Sequence, residues 1–480
     1  MTTTAPTLAP DQLDTRRPYT ILAVCCLSLF VVGIDSSAVN LALPSIRTDL
    51  GASSSQLQWV VDAYTLVLAG LLMLSGSTAD RLGRKRVFLV GLTVFGLGSV
   101  LCSVAQDPGL LIGARVLQAV GGSMLNPVAM SIITNVFTNA RERARAIGVW
   151  GGVIGLSLAL GPVVGGALVD ALSWRAVFWL NVPVVLAAVA LTLRIVPESR
   201  AARSRRPDPA GQTLIALGLT ALVFAVIEGG SLGWASPVIL GSFAVAALAF
   251  VALPMVERRR AEPVLDPRFF RSIPFSGAVI GAVLGFSAMG GFLFLNTLYL
   301  QEVRGYSPLH AGLLTLPMAV ATALLAPVSG RLVGSIGPRV PMVVAGIGIS
   351  LSALLLLRLS VDTSVGYLLL AYALFGIGFG VLNAPITNAA VSGMPRDQAG
   401  VAAAVASTSR QVGTSLGVAV LPAVTLAALT GPLATGLPAA SHVGWTVMLG
   451  CGLLLVVLAF VATSRAAHAS RDRVAAELGA

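Results

Sequence analysis

The chain has 480 residues, of which 56% are hydrophobic and 11% charged, and it carries a formal net charge of +11. Soluble domains carry about a quarter charged residues, so this composition excludes a water-soluble fold and requires lipid as the solvent for most of the surface. It also argues against a basic nucleic-acid binder, because the cations sit in short clusters between apolar runs instead of gathering on one face or tail.

The first apolar run, 19–43, follows Arg16 and Arg17. It is too long for the core of a signal peptide, contains Asp35 and lacks a small-residue cleavage site, so it reads as a retained membrane helix. A helix needs about 20 apolar residues to cross the hydrocarbon. Further spans are predicted at 58–79, 87–106, 109–136, 145–169, 175–196, 211–229, 236–256, 274–300, 308–333, 340–358, 364–391, 401–428 and 443–464, which makes fourteen. A count of twelve would require the middle pair, 211–229 and 236–256, not to span. With the N-terminus in the cytoplasm, the inner connections hold most of the 31 Lys and Arg, and the outer ones hold only Arg47, Arg175, Arg304 and Arg358. That asymmetry predicts a multi-pass plasma-membrane protein with both termini cytoplasmic.

Asp35 lies about midway along the first span. An intramembrane carboxylate is costly and marks function. Burial opposes the charge of such a group and a nearby guanidinium favours it, so a carboxylate balanced between them can load and release a proton. Asp62, near the outer end of the second span, either lines an outer vestibule that attracts cationic solutes or reaches out to water. The loop that follows reads GSTADRLGRKR, from Gly76 to Arg86. Gly83 permits a tight turn there and Gly76 a close helix approach. Asp80 is suited to hold a cation or a helix N-terminus across an inner gate, while Arg81, Arg84 and Lys85 anchor the loop.

The fourth span carries Arg115, Gln118 and Asn126; the arginine is inside an apolar run and needs a partner. The fifth contains Gly148, Gly161, Pro162, Gly165 and Gly166, where the proline bends the helix and the glycines allow tight packing. Glu228, near the outer end of the seventh span, offers no evident chemistry. Asn383 and Asn388 on the twelfth span are suited to bonding between helices or lining a cavity. Arg410 on the thirteenth either snorkels to the cytoplasm or pairs in an inner cavity. The four cysteines and three histidines have no metal-ligand spacing, so no metal site is expected.

The chain also repeats itself. QAVGGSMLNP, from Gln118, echoes FGIGFGVLNA, from Phe375, so that Gly121 aligns with Gly378 and Asn126 with Asn383. GSTADRLGRK, from Gly76, echoes GRLVGSIGPR, from Gly330, and GLSL, from Gly155, echoes GTSL, from Gly413, at nearly the same offset. A duplicated six-helix unit is the reading, with 197–273 as an insertion of linkers and two extra helices. Two such halves across a midplane cavity are a transporter plan.

These segments resemble the major facilitator superfamily, and within it the fourteen-helix drug:proton antiporters. Gly76, Asp80, Arg81, Gly83, Arg84 and Lys85 match the superfamily's loop signature. Gly33 to Pro44, GIDSSAVNLALP, resembles the subgroup's first-helix motif, and RVLQAVGG, from Arg115, its fourth-helix motif. The fifth-helix run ending LGPVVGG resembles the motif that separates exporters from importers, with Ser157 where a glycine is usual.

The resemblance implies an all-α membrane fold. Six-helix bundles would occupy 1–196 and 274–464, with linkers and two inserted helices at 197–273 and a cytoplasmic tail at 465–480. It implies that Asp35 partners Arg115 and couples to protons. It further implies export of drugs or other small amphipathic compounds by alternating access, with Asp35 and Asp62 suiting lipophilic cations. A dedicated exporter of one endogenous metabolite or antibiotic is the alternative. The expected partners are a small-molecule substrate, protons and the lipid bilayer, with no nucleic acid, no cofactor and a monomeric state. No nucleotide loop or nucleophile–base set suggests an enzyme.

Overall fold

The computed structural model describes residues 16–200, 208–260, 266–392, 394 and 398–479, and among these the only regular structure is helical. The first half runs α1 (Arg16–Leu50), α2 (Ser54–Leu82), α3 (Arg84–Ser103), α4 (Pro108–Val136), α5 (Ala140–Ala171), α6 (Arg175–Trp179) and α7 (Asn181–Ile195). Two helices follow, α8 (Pro209–Leu232) and α9 (Pro237–Glu257). The second half runs α10 (Ile273–Leu298), α11 (Pro308–Leu314), α12 (Leu316–Ile336), α13 (Arg339–Leu356), α14 (Val365–Val391), α15 (Ala399–Ala427) and α16 (Leu433–Val461), and α17 (Arg465–Gly479) ends the chain.

Every predicted span falls on a helix, though the sixth is divided at Leu180 and the tenth at Thr315. Among the described residues, twelve helices are long and apolar enough to cross a membrane, the α8–α9 pair included. Of the remaining two predicted spans, α5 has 32 residues and contributes the shorter apolar stretch Leu160–Ala171. α15 has 29 residues and carries Arg410 and Gln411 in its middle, which lowers its apolar content. The last span starts earlier than its composition suggests. Gly436 and Pro438 argue for a loop, yet α16 begins at Leu433, where burial of Leu437, Pro438 and Ala440 overrides local propensity.

Helix starts are set by side chains that satisfy orphan backbone N–H groups. Ser53 and Gln56 form a reciprocal capping box on α2. Asp107 caps α4, Asp208 α8, Ser236 α9 and Ser307 α11, each with proline among the first helical residues, where its missing N–H costs nothing.

The repeat is visible in the packing. α1 packs on α5 as α10 packs on α15, α3 on α4 as α13 on α14, and α2 on α4 as α12 on α14. Its turns match too. Gly51 and Gly305 both have φ of 63°, and the α2–α3 and α12–α13 junctions turn on Gly83 (φ 114°) and Gly337 (φ 83°). Aligned Gly121 and Gly378 lie so close to α3 and α13 that a Cβ at either would run into the facing backbone. The aligned sequence is the part that lets two helix backbones touch.

α8 packs against α2 and α15 through Leu219, Val223 and Ile227, which bury with Leu66, Ala69 and Ala419. The inserted pair is thus fixed to the seam between the halves by α8. α9 packs on α8 and presents Leu240, Leu248, Val251 and Met255 outward, as a lipid-facing helix does. The last helix is tied back by Arg271 Nη1 to Glu477 Oε2 at 3.2 Å and by Ile273 N–H to Ser470 Oγ at 3.0 Å.

Candidate functional site

Asp35, in the middle of α1, is 0% exposed and Arg115 of α4 is 1% exposed. Arg115 Nη1 donates to Asp35 Oδ2 at 2.6 Å and to Gln118 Oε1 at 2.6 Å. Arg115 Nε donates to the Val60 carbonyl of α2 at 3.1 Å, and the guanidinium lies 4.1 Å from the centre of the Tyr64 ring. Asp35 Oδ1 accepts from Gln118 Nε2 at 2.9 Å and from Asn181 Nδ2 of α7 at 2.8 Å. Both amides also donate to Ser99 Oγ of α3, at 2.8 and 3.2 Å. Five helices therefore contribute to one buried polar cluster. A charge removed from water this completely persists only when paired and hydrogen-bonded, and here both carboxylate oxygens are occupied.

The reading of the sequence names Asp35, Arg115 and Gln118 but not Asn181, Ser99 or Tyr64. Each is a polar group inside an apolar run, a weak signal taken alone; only the helix packing aims them at Asp35. Asn126, half-buried on α4, is not part of the cluster.

The loop motif folds onto its own half. Asp80 Oδ1 accepts from Arg84 Nε at 3.1 Å and Nη2 at 2.9 Å, one helical turn away. Glu198, just past α7, places Oε1 3.1 Å from the Lys85 N–H at the start of α3, and its other oxygen lies 3.6 Å from Arg86 Nε. Arg84 N–H donates to the Ser199 carbonyl at 2.9 Å and Lys85 Nζ to the Leu193 carbonyl at 2.9 Å. Gly83 lies under Glu198, where a Cβ would come within 2.9 Å of the carboxylate. Gly76 faces Pro127 of α4, and Arg81 is exposed. In this conformation Asp80 thus holds a cation of its own motif and spans no gap between the halves.

The glycines of α5 serve helix contact. A Cβ at Gly161 would overlap Ser37 of α1, one at Gly165 would press on Ala38, and one at Gly166 would overlap the backbone of Pro308 and Leu309 at the start of α11. The Pro162 carbonyl abuts Gly312 of α11 in the same way. Gly148 lies in the first half of α5. The two halves also meet through Arg47–Glu302 at 3.4 Å, Gln301 Nε2 to the Leu41 carbonyl at 2.9 Å, and Gln58 Nε2 to the Val418 carbonyl at 3.2 Å. All of these lie at the end remote from the start of α1 and from α17. At the other end no hydrogen bond or ion pair joins the halves among the described residues.

The sequence matches the family model described as Major Facilitator Superfamily over residues 25–418. The chain belongs to the major facilitator superfamily. Its relatives in that superfamily include the multidrug resistance protein Stp of Mycobacterium tuberculosis, 37% identical over 87% of this chain and 78% of that one. The puromycin resistance protein pur8 of Streptomyces alboniger is 38% identical over 93% of this chain and 92% of that one. The tetracenomycin C resistance and export protein of Streptomyces glaucescens is 36% identical over 84% and 75%. A crystal structure of the peptide transporter POT in complex with sulfate superposes with a TM-score of 0.67 at 15% identity, covering 98% of this chain and 97% of that one. That likeness concerns the fold.

Three further residues of this superfamily member, Asp62, Glu228 and Arg410, have surroundings that the sequence does not anticipate. Asp62 lines no vestibule, for it is 0% exposed, packed against α15 below the Gln58 contact. Its Oδ1 accepts from Thr65 Oγ1 at 3.2 Å, it faces Ser415 of α15, and among the described residues Oδ2 has no hydrogen bond. The closed end of the molecule covers it, because Gln58 one turn above bridges to α15. Glu228, whose sequence context offers no evident chemistry, accepts from Trp59 Nε1 at 3.0 Å and so joins α8 to α2. Arg410 forms no ion pair among the described residues and donates instead to Asn383, Thr387 and Ser407. An open apolar pocket of about 460 Å³ lies between α1 and α5, lined by Tyr19, Cys26, Phe30, Val153 and Leu156 among others.

Proposed function

We propose that this chain exports drugs or other small amphipathic compounds across the plasma membrane in exchange for protons. The observation that carries the reading is the buried Asp35–Arg115 pair, an ionisable couple at mid-membrane depth tied to five helices. Membership in the superfamily, and relatives named for multidrug resistance and antibiotic export, support export as the direction. In this scheme Asp35 takes up a proton when the remote end opens and releases it toward the termini end. Protonation frees Arg115 from its charged acceptor, so proton uptake and helix arrangement are linked. The halves, Asp80 latch included, rock about the seam and expose the cavity alternately to either side. The reading places both termini in the cytoplasm, the closed end outside, and the bundles at 1–196 and 274–464, and it takes one chain as the working unit.

The charge preference anticipated from Asp35 and Asp62 has no support in the geometry, since neither carboxylate is presented to a solute.

Everted vesicles carrying the transporter should accumulate a fluorescent amphipathic dye on energisation and lose it when an uncoupler is added. Asp35→Asn should insert normally and abolish this. Accumulation unaffected by the uncoupler would remove proton drive from the account; normal accumulation by well-folded Asp35→Asn would remove Asp35.

A further inference from the structure

Arg410 stands near the middle of the 29-residue helix α15, at a depth where a guanidinium is expensive unless it is paired or wet. Its Nη1 donates to Asn383 Oδ1 at 3.0 Å and Thr387 Oγ1 at 3.4 Å, both on α14, and Nη2 donates to Ser407 Oγ at 2.7 Å. All three acceptors are neutral. No carboxylate lies within ion-pairing distance among the described residues, and the other intramembrane arginine, Arg115, has its counter-charge in Asp35. Asn383, Thr387 and Asn388 of α14 are exposed and Arg410 is partly so. Exposed amide, hydroxyl and guanidinium groups at this depth belong on a water-filled passage and not on acyl chains. The passage they face can open only toward the termini end, since the halves are joined at the other. Among the described residues the bonds of Arg410 run through Nη1 and Nη2, which leaves Nε–H as a further donor.

We propose that Arg410, steadied by Asn383 and Thr387, is the subsite that takes an anionic group, a carboxylate or comparable oxyanion, of an amphipathic export substrate. This rests on the exporter reading and adds to it the charge of what is carried. The acidic groups that would suit a cation are both out of reach, Asp35 neutralised inside the first bundle and Asp62 sealed against α15. An unpaired guanidinium at the passage wall supplies the planar donor fork that oxyanions fit, and substrate binding would complete its coordination. Phe379 lies one turn before Asn383 on α14, and its buried ring meets half-buried Phe286 of α10 edge to face at 5.0 Å.

The test is equilibrium binding to purified full-length transporter in detergent, read by fluorescence anisotropy. Fluorescein, an aromatic carboxylate, is compared with rhodamine 6G, which presents the same ring system as an esterified cation. Wild type should bind fluorescein more tightly. Arg410→Gln should weaken fluorescein about tenfold or more and leave rhodamine 6G unchanged or tighter, and Arg410→Lys should recover part of the loss. Thr387→Val, which keeps the arginine and removes one acceptor, should weaken fluorescein less than Arg410→Gln does. Unchanged fluorescein affinity in Arg410→Gln, tighter rhodamine 6G binding by wild type, or an equal loss for both dyes in folded variants would overturn the proposal. Binding needs no gradient, so an Arg410-dependent preference in a protein that moves neither dye in vesicles would retain the subsite and reject the exporter reading instead.

Discussion

Asp35 and Arg115 meet at 2.6 Å between α1 and α4, and neither side chain is reached by solvent. The pair is internal to the first bundle and does not bridge the halves. Its influence on the rest of the molecule must therefore pass through helix positions, because α1 also carries Ser37 and Ala38, against which the α5 glycines pack, and α5 in turn touches α11. Loss of the pairing would change how firmly α1 and α4 are held, and α1 itself reaches the seam through Leu41 and Arg47.

Removing one member of this pair should cost more than removing both charges. Arg115→Gln alone leaves a buried carboxylate without its cation and should lower stability by ~3–5 kcal/mol, whereas the double variant Asp35→Asn with Arg115→Gln should recover much of it. Melting in detergent checks this. Equal losses in the single and double variants would mean that the ionic pairing contributes little to stability.

Gly166 sets how closely α5 and α11 approach at the closed end. Gly166→Val should hold that end apart and stop export without unfolding either bundle, because the added carbons meet backbone that cannot yield. In a chain freed of its four cysteines, Asp62→Cys should react slowly with a membrane-impermeant maleimide added outside, and much faster once Gly166→Val is present. Equal labelling rates would show that this glycine does not control closure.

Among the described residues, buried Asp62 has no cation partner and its Oδ2 no hydrogen-bond donor. Asp62→Asn keeps its shape, removes the burden of a carboxylate in a dry interface and supplies an N–H that can meet Ser415. The variant should be as stable as the parent or more so, by about 1–3 kcal/mol, with a raised melting temperature. A fall in melting temperature would show that the carboxylate has a structural partner in the native state.

Glu198 accepts the Lys85 N–H at the start of α3. Glu198→Ala should cost about 1 kcal/mol, since the contact is partly solvated, and should speed hydrogen exchange at the Lys85 amide while the Asp80–Arg84 pair stays formed. Unaltered exchange at Lys85 would place the hold on this loop elsewhere.

The membrane fold, the positions of the spans and the duplication were legible in the amino-acid order, because lipid demands long apolar runs and turns demand particular residues. Asp35 and Arg115 stood out for the same reason, as charges where the solvent is hydrocarbon. Three things waited for the tertiary structure: the amides of Gln118 and Asn181 and the hydroxyl of Ser99 converging on one carboxylate, the sealing of Asp62 beneath Gln58, and the neutral company of Arg410. Apolar length settles which segments enter the bilayer but leaves each helix free to rotate about its axis. That rotation is decided by contacts between segments far apart in the chain, such as Gly121 against α3 and Gly166 against α11, and it determines which polar groups face one another and which face the passage.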